Sequence, residues 1–192
     1  MRSRAAAALL AGLLAAPGGA QGNVVERILA VVDGRPLLLS EVRVLERLRG
    51  LDRKAAVDAL IDERLMFREA ARLPEAVVSP EEEERAYRDL AARVPASAGT
   101  TEDELRRLAR RQTAILKYID FRFRPQVRVE DAAVRAAWDE ERAARPDTGT
   151  FEEAAARLRA RLEAAELDRR IELWVKELRA GADIRYNASP PS

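Results

Sequence analysis

The chain has 192 residues, contains no Cys and no His, and carries a formal net charge of +1. Without thiols and imidazoles it cannot form disulfides, Cys-His or Ser-His-Asp catalytic sites, or the usual zinc sites. The near balance of 34 basic and 33 acidic residues gives no indication of nucleic acid as a partner.

Residues 1–20 are typical of a cleavable export signal. Two arginines precede an unbroken run of small and apolar residues at 5–16, Pro17 breaks the helix, and small residues up to Ala20 suit a cleavage site. The apolar run is shorter than the roughly 20 residues that cross a bilayer. We therefore expect an exported protein with no stable membrane insertion, and a retained anchor is the weaker alternative.

The stretch 24–42 predicts a β-hairpin that leads into a helix. Its Asp-Gly pair at 33–34 lies between two apolar runs, and Gly adopts the positive φ that a tight hairpin turn needs. Ser40 marks the predicted start of the first helix. An isolated hairpin is marginal in water, so we expect a third strand, and the apolar Ile184 within 183–186 places that strand near the other end of the chain.

Six helices are predicted after the hairpin. Three begin at capping boxes, in which a Ser or Thr and the Glu three residues later satisfy free backbone N–H groups. These boxes are Ser79 with Glu82, Thr101 with Glu104, and Thr150 with Glu153. The predicted helices span 41–49, 53–72, 80–93, 102–122, 130–144 and 151–180. The predicted fold class is therefore mainly α, with a small N-terminal β-hairpin completed by a short C-terminal strand.

The last predicted helix carries two apolar stripes that lie about 180° apart around its axis. The stripe of its first half is Phe151, Ala155, Leu158, Leu162 and Ala165, and the stripe of its second half is Leu167, Ile171, Trp174, Val175 and Leu178. We therefore expect the two halves to pack on different neighbours.

The hairpin, the step into the first helix, and LIDERLMFREA at 60–70 resemble the N-terminal domain of the SurA-type periplasmic chaperones. VRVEDAAVRAAWDEE at 127–141 is similar to the family segment that leads into a parvulin prolyl-isomerase domain, and FEEAAARLRARL at 151–162 is similar to the closing helix. In that family a C-terminal helix and strand complete the N-terminal helical part, and the parvulin domains lie before that closing helix. Here only 145–149 separate the two segments. Because a domain needs at least about 50 residues, we expect the isomerase to be absent.

The resemblance implies a single helical chaperone domain at 21–186 and a disordered tail at 187–192. It also implies a periplasmic, ATP-independent holdase without enzymatic activity, whose partners are unfolded or extended polypeptides, outer-membrane proteins among them. Because the Gly residues form no phosphate-binding loop, we expect no cofactor. The alternatives are a non-enzymatic assembly subunit for one dedicated partner or a second copy of the chain, and a degenerate peptidyl-prolyl isomerase.

Four apolar side chains that leave the predicted core stripes are candidate peptide contacts. Met66 and Leu73 point nearly opposite to the core face of helix 53–72, which comprises Val57, Leu60, Ile61 and Leu65. Tyr118 and Phe121 leave the stripe of helix 102–122. Because Met and aromatic side chains adapt to varied partners, we expect these four residues to line a cradle for extended segments. The alternative is a core covered on both sides by other helices.

Two further expectations concern the buried faces of these helices. The single apolar stripe of helix 102–122 is predicted to comprise Leu105, Leu108, Ala109, Gln112, Ile115, Leu116 and Ile119. Arg64 lies inside the apolar face of its helix, where an ion pair with a helix carboxylate is expected because an unpaired charge would be costly there.

Overall fold

The three-stranded sheet and the helices are seen in a computed structural model that describes residues 26–94, 100–145 and 149–187. Within these ranges the strands are β1 Ile28–Val32, β2 Arg35–Leu38 and β3 Ile184–Tyr186. The helices in the same ranges are α1 Leu39–Arg49, α2 Arg53–Ala70, α3 Pro80–Ala91, α4 Glu102–Arg122, α5 Asp131–Ala144 and α6 Phe151–Ala180. The predicted fold class and element order are confirmed. The predicted export signal and residues 188–192 of the predicted tail lie outside the described residues.

The antiparallel sheet joins the two ends of the described chain, because β1 lies between β2 and β3. Asp33 and Gly34 have φ angles of 47° and 78°, which are the two positive values that a type I′ turn requires. Ile184 is paired with Val32. The predicted closure of the hairpin by the C-terminal strand is therefore confirmed.

The helix starts follow the predicted caps at three of four positions. Ser79, Thr101 and Thr150 all form their capping boxes. Ser40, in contrast, lies inside the first turn of α1, because β2 runs into the helix without a loop and Leu38 takes the cap position. Leu38 has no side-chain hydroxyl to cap the helix. The Glu41 carboxylate accepts a hydrogen bond from the Leu38 backbone N–H at 3.2 Å instead.

Three apolar clusters organise the described part of the molecule. The first lies between the sheet, α1, α2 and the start of α4, with Leu60 among its fully buried members. The second surrounds Trp174, between the C-terminal parts of α2 and α4 and the second half of α6. The third surrounds Leu158 and joins α5 to the first half of α6. The predicted division of α6 between two sets of neighbours is therefore confirmed.

This division defines two regions. The body consists of the sheet, α1 to α4 and residues 167–180 of α6, and it contains the first and second clusters. The arm consists of α5 and residues 151–165 of α6, and it contains the third cluster. The backbone of α6 is continuous through both regions.

The single apolar stripe predicted for α4 is wrong at Leu116, which is 60% exposed, whereas Ala114 on the other side of the helix is buried. The reason is that α4 changes neighbours along its length. Leu105 and Leu108 belong to the first cluster, but Ala114 belongs to the second, where a 3₁₀ turn at Pro74–Ala76 also packs on α4. The buried face therefore rotates from one half of the helix to the other.

Candidate functional site

Three of the four predicted contact residues lie around the second cluster. Met66, Leu73 and Tyr118 are half-buried and pack against that cluster. Tyr118 stacks on Trp174, with ring centroids 4.9 Å apart and 13° between the ring planes. These three side chains thus point away from the first cluster, as predicted, but toward a second layer of core. Their role in peptide binding stays a prediction.

The fourth predicted residue, Phe121, is 51% exposed. Val77, just after the 3₁₀ turn, is 67% exposed, and its carbonyl oxygen accepts a hydrogen bond from Lys117 Nζ at 2.5 Å. Because Phe121 is one helical turn beyond Lys117, Phe121 and the segment that carries Val77 lie on the same side of α4. We call Val77 and Phe121 the apolar patch. Val77 escaped prediction because it lies in an irregular segment without helical periodicity.

A row of ion pairs beside the apolar patch holds α3 on α4. The pairs are Glu82 with Lys117, Glu83 with Arg110 and Glu84 with Arg106, with N–O distances of 2.8, 3.9 and 2.8 Å. The Arg106 guanidinium also lies over the Tyr87 ring, 4.1 Å from its centroid. We call these three pairs the ion-pair row. The helix α3 therefore meets α4 through charge on this side, and its Tyr87 and Leu90 also pack against the first cluster.

The charges at the start of the row are strongly stabilised. Hydrogen bonds from the Lys117 ammonium and the Ser79 backbone N–H lower the pKa of the Glu82 carboxyl. At the other end, hydrogen bonds to Glu84 and Glu102 raise the pKa of Arg106. Glu82 and Arg106 are therefore both ionised at neutral pH. Glu82 also accepts a capping hydrogen bond at the start of α3 while it pairs with Lys117.

An open cavity of about 660 Å³ lies where β3 meets α2 and the end of α6. Leu29 and Val57 supply apolar walls. The polar lining residues are Arg53, Lys54, Asp58, Arg179, Tyr186 and Asn187. Sequence reasoning did not find this cavity, because its walls come from both ends of the chain.

The polar groups of this cavity bind one another. Tyr186 Oη donates to Asp58 at 2.8 Å, and Arg179 donates to the Asp58 carbonyl oxygen at 3.0 Å and to the Asp62 carboxylate. Burial alone would raise the pKa of Asp58, but the hydrogen bonds from Tyr186 and Arg179 lower it. At Asp62, burial outweighs Arg179 and raises the pKa. This network fastens β3 and α6 to α2, which is a structural task.

A buried ion pair lies between α2 and α4. Glu63 is only 4% exposed, and its carboxylate accepts a hydrogen bond from Arg111 at 2.8 Å. Arg64 pairs with Glu41 of α1, which confirms the expected ion pair with a helix carboxylate. The carboxylate of Glu63 thus already has a cationic partner, so the pair stabilises the packing of the two helices rather than forming an open reactive site.

The arm carries an aromatic pair near its free end. Trp138 and Phe151 meet edge to face with centroids 5.8 Å apart, and the Arg135 guanidinium lies 3.6 Å from the Phe151 centroid. The Trp138 indole nitrogen is buried and has no hydrogen-bond partner. An indole N–H that is buried without a partner lowers the stability of this small core.

Neither a protein-family model nor a curated protein sequence matches the chain. Among the described residues, no three His, Cys, Asp or Glu side chains are grouped so that they could hold a metal ion. A helix long and apolar enough to cross a membrane is also absent from ranges 26–94, 100–145 and 149–187. The candidate site therefore rests on geometry: the apolar patch, and the ion-pair row next to it.

Proposed function

We propose that the protein is a periplasmic, ATP-independent chaperone that holds non-native polypeptides, including those destined for the outer membrane, through shallow apolar contacts. The observation that carries the proposal is the closure of the N-terminal hairpin by the far end of the chain. β3 pairs with β1 after α6 has returned from the arm. This is the arrangement that the resemblance to SurA-type chaperones implies.

The apolar patch supports a holding role. Val77 and Phe121 are exposed apolar side chains, and the half-buried Leu73 and Tyr118 belong to the edge of the neighbouring cluster. Covering one side chain of this size contributes about 1.5–3 kcal/mol. A client held by a few such contacts binds weakly and is released without ATP.

The way carboxylates are used supports a non-enzymatic role. Glu82, Glu104 and Glu153 accept capping hydrogen bonds at helix starts. Asp58 and Asp62 are bound to Arg179. These groups stabilise helices and join elements, so none of them is left free to act as a general acid or base.

A light-scattering assay with an aggregating client tests the proposal. We expect the purified protein to suppress aggregation at near-stoichiometric ratios, and Phe121→Ser to weaken the suppression. Leu116→Ser is the matched control, because Leu116 is 60% exposed on the same helix but lies about 140° away from Phe121 around its axis. If the parent protein does not suppress aggregation, a dedicated partner becomes the better interpretation.

A prolyl-isomerase assay separates the chaperone from a degenerate isomerase. Only a short connection joins α5 to α6, and the chain has no His and no Cys. We expect isomerisation of an X-Pro peptide to proceed at its slow uncatalysed rate, over tens to hundreds of seconds. A faster rate in the presence of the protein would contradict this expectation.

A further inference from the structure

The helix α3 is attached to the body differently from its neighbours. None of its residues is buried, whereas α1, α2 and α4 each contribute several buried residues to the cores. It packs mainly on α4. Its position therefore depends on one helix–helix contact.

The charged part of that contact is open to solvent. The side chains of the ion-pair row are between 26% and 62% exposed. Exposed pairs of this kind are weak and are screened by salt, since the Debye length is about 8 Å at physiological ionic strength and about 3 Å at 1 M. Detaching α3 therefore gives up little electrostatic energy in solution.

An apolar surface lies beneath α3. The half-buried side chains of Tyr87, Leu90 and Val94 pack against the first cluster, to which α4 contributes Leu105 and Leu108. Without α3, this part of the cluster would face solvent. Aromatic and branched apolar side chains arriving from elsewhere would then be able to cover it.

The covered surface continues into the exposed apolar patch. Lys117 binds both Glu82 of α3 and the carbonyl oxygen of Val77 in the patch. From Arg106 to Phe121 the helix α4 rises about 22 Å, at 1.5 Å per residue, and the two residues lie within about 60° of each other around its axis. The patch alone offers two side chains, whereas the patch and the uncovered face together offer a track long enough for an extended or helical segment.

We propose that this face of α4 is the docking surface for client segments, and that α3 is its displaceable cover. The inference rests on the proposed function and adds the chemistry of the preferred segment. The helix α3 supplies the template: carboxylates at 82–84 are followed by Tyr87 and Leu90 at helical spacing, and Arg106, Arg110 and Lys117 of α4 receive the carboxylates. A preferred client segment therefore carries acidic residues next to aromatic or branched apolar ones.

A chemical crosslink tests whether α3 must detach from α4 for a client to bind. Because the chain has no Cys, Glu83→Cys combined with Arg110→Cys provides the only thiols, and a short bis-maleimide joins them in the folded protein. We expect the crosslinked protein to lose most of its suppression of aggregation. The same double variant capped with a mono-maleimide is the reference, since it also lacks Glu83 and Arg110 but leaves α3 free to detach. It should keep most of the parent's suppression, because Arg106, Lys117 and the apolar side chains remain.

A second crosslink controls for general stiffening. Glu141→Cys with Arg157→Cys replaces an ion pair of the arm with an N–O distance of 2.7 Å, and its crosslink should leave suppression unchanged. If the protein crosslinked at 83 and 110 suppresses aggregation as well as the mono-maleimide reference, α3 is not a displaceable cover, and the proposed function stays intact. Absence of suppression by the parent would instead overturn the proposed function, and the docking surface with it.

Spin labels at the same two positions give a readout that does not depend on aggregation. We expect the distance between labels at 83 and 110 to widen when an unfolded, acidic client is added, and to widen also in 1 M NaCl without a client. A basic client of equal length should widen it less. A distance that stays constant while the protein suppresses aggregation would show that clients bind elsewhere.

Discussion

The contacts that stabilise the body join residues far apart in the sequence, whereas the contacts that stabilise the arm join residues close in the sequence. In the body, β1 pairs with β3 at the other end of the described chain, and Arg179 binds Asp62 across 117 residues of sequence. The arm consists of two successive helices that pack on each other around Leu158. The body therefore depends on both ends of the chain at once, whereas the arm is a local helical hairpin that reaches the body through the backbone of α6 and the chain that enters α5.

The largest expected effect comes from removing the long-range closure. A chain truncated after Leu167 lacks the other four residues of the second stripe of α6, the Arg179 network and β3. We expect it to lose cooperative thermal unfolding, because the hairpin is left with two strands and Trp174 no longer covers the second cluster. Circular dichroism during heating measures this. A truncated protein that melts cooperatively at the parent temperature would show that the body does not need its C-terminal end.

Two matched substitutions compare the regions directly. Leu60 in the body and Leu158 in the arm are both fully buried, so each Leu→Ala change leaves a cavity and costs about 2–5 kcal/mol. We expect Leu60→Ala to lower the protection of amides throughout the body, and Leu158→Ala to lower it in the arm alone. Hydrogen exchange followed by mass spectrometry locates the loss. Equal loss in both regions for both variants would mean that they unfold as one unit.

The sequence predicted the features that depend on local rules. The Asp-Gly turn, three capping boxes and the two stripes of α6 follow from turn chemistry and from spacing along one element. The exposure of Leu116 could not be predicted in this way, because it depends on which elements flank each half of α4. The burial of Glu63 depends on Arg111, which lies 48 residues further along the chain.

The same limit applies to the candidate site. Periodicity correctly indicated that Met66 and Tyr118 leave the first core face, but it could not tell that the second half of α6 covers them from the other side. Phe121 is 51% exposed because it lies one helical turn beyond Lys117, where α3 begins to pack on α4. The ion-pair row escaped prediction too: its glutamates resemble ordinary helix-start residues, and their partners lie on another helix.

A smaller effect separates the covered and exposed candidates within the body. We expect Tyr118→Ser to cost about 2 kcal/mol, because it removes a half-buried ring that stacks on Trp174. Phe121→Ser should change stability by no more than roughly 0.5 kcal/mol, as is usual at exposed positions. Chemical denaturation of both variants measures the difference. A large loss of stability in Phe121→Ser would place that ring in the core and remove it from the apolar patch.

The smallest expected effect concerns pH and again compares the two regions. In the body, hydrogen bonds from Lys117 and Ser79 lower the pKa of Glu82. In the arm, hydrogen bonds from Arg157 lower the pKa of Glu141. A carboxyl group whose pKa is lowered by folding contributes stability that is fully present above its usual pKa of 4.5 and is lost as the pH falls through the lowered value. Acid should therefore loosen both α3 on α4 and α5 on α6.

Single variants show which carboxyl group causes the acid-induced loosening of each helix. We expect Glu82→Gln to reduce the acid-induced change in the amide resonances of α3 and to leave that of α5 intact, and Glu141→Gln to do the reverse. The reduction in α3 should be partial, because the ion pairs of Glu83 with Arg110 and of Glu84 with Arg106 remain. NMR spectra recorded between pH 7 and pH 3 measure both regions at once. If Glu82→Gln leaves the acid-induced change in α3 unchanged, apolar packing rather than the ion-pair row holds that helix on α4. Loss of the ion pairs would then not be enough to detach α3.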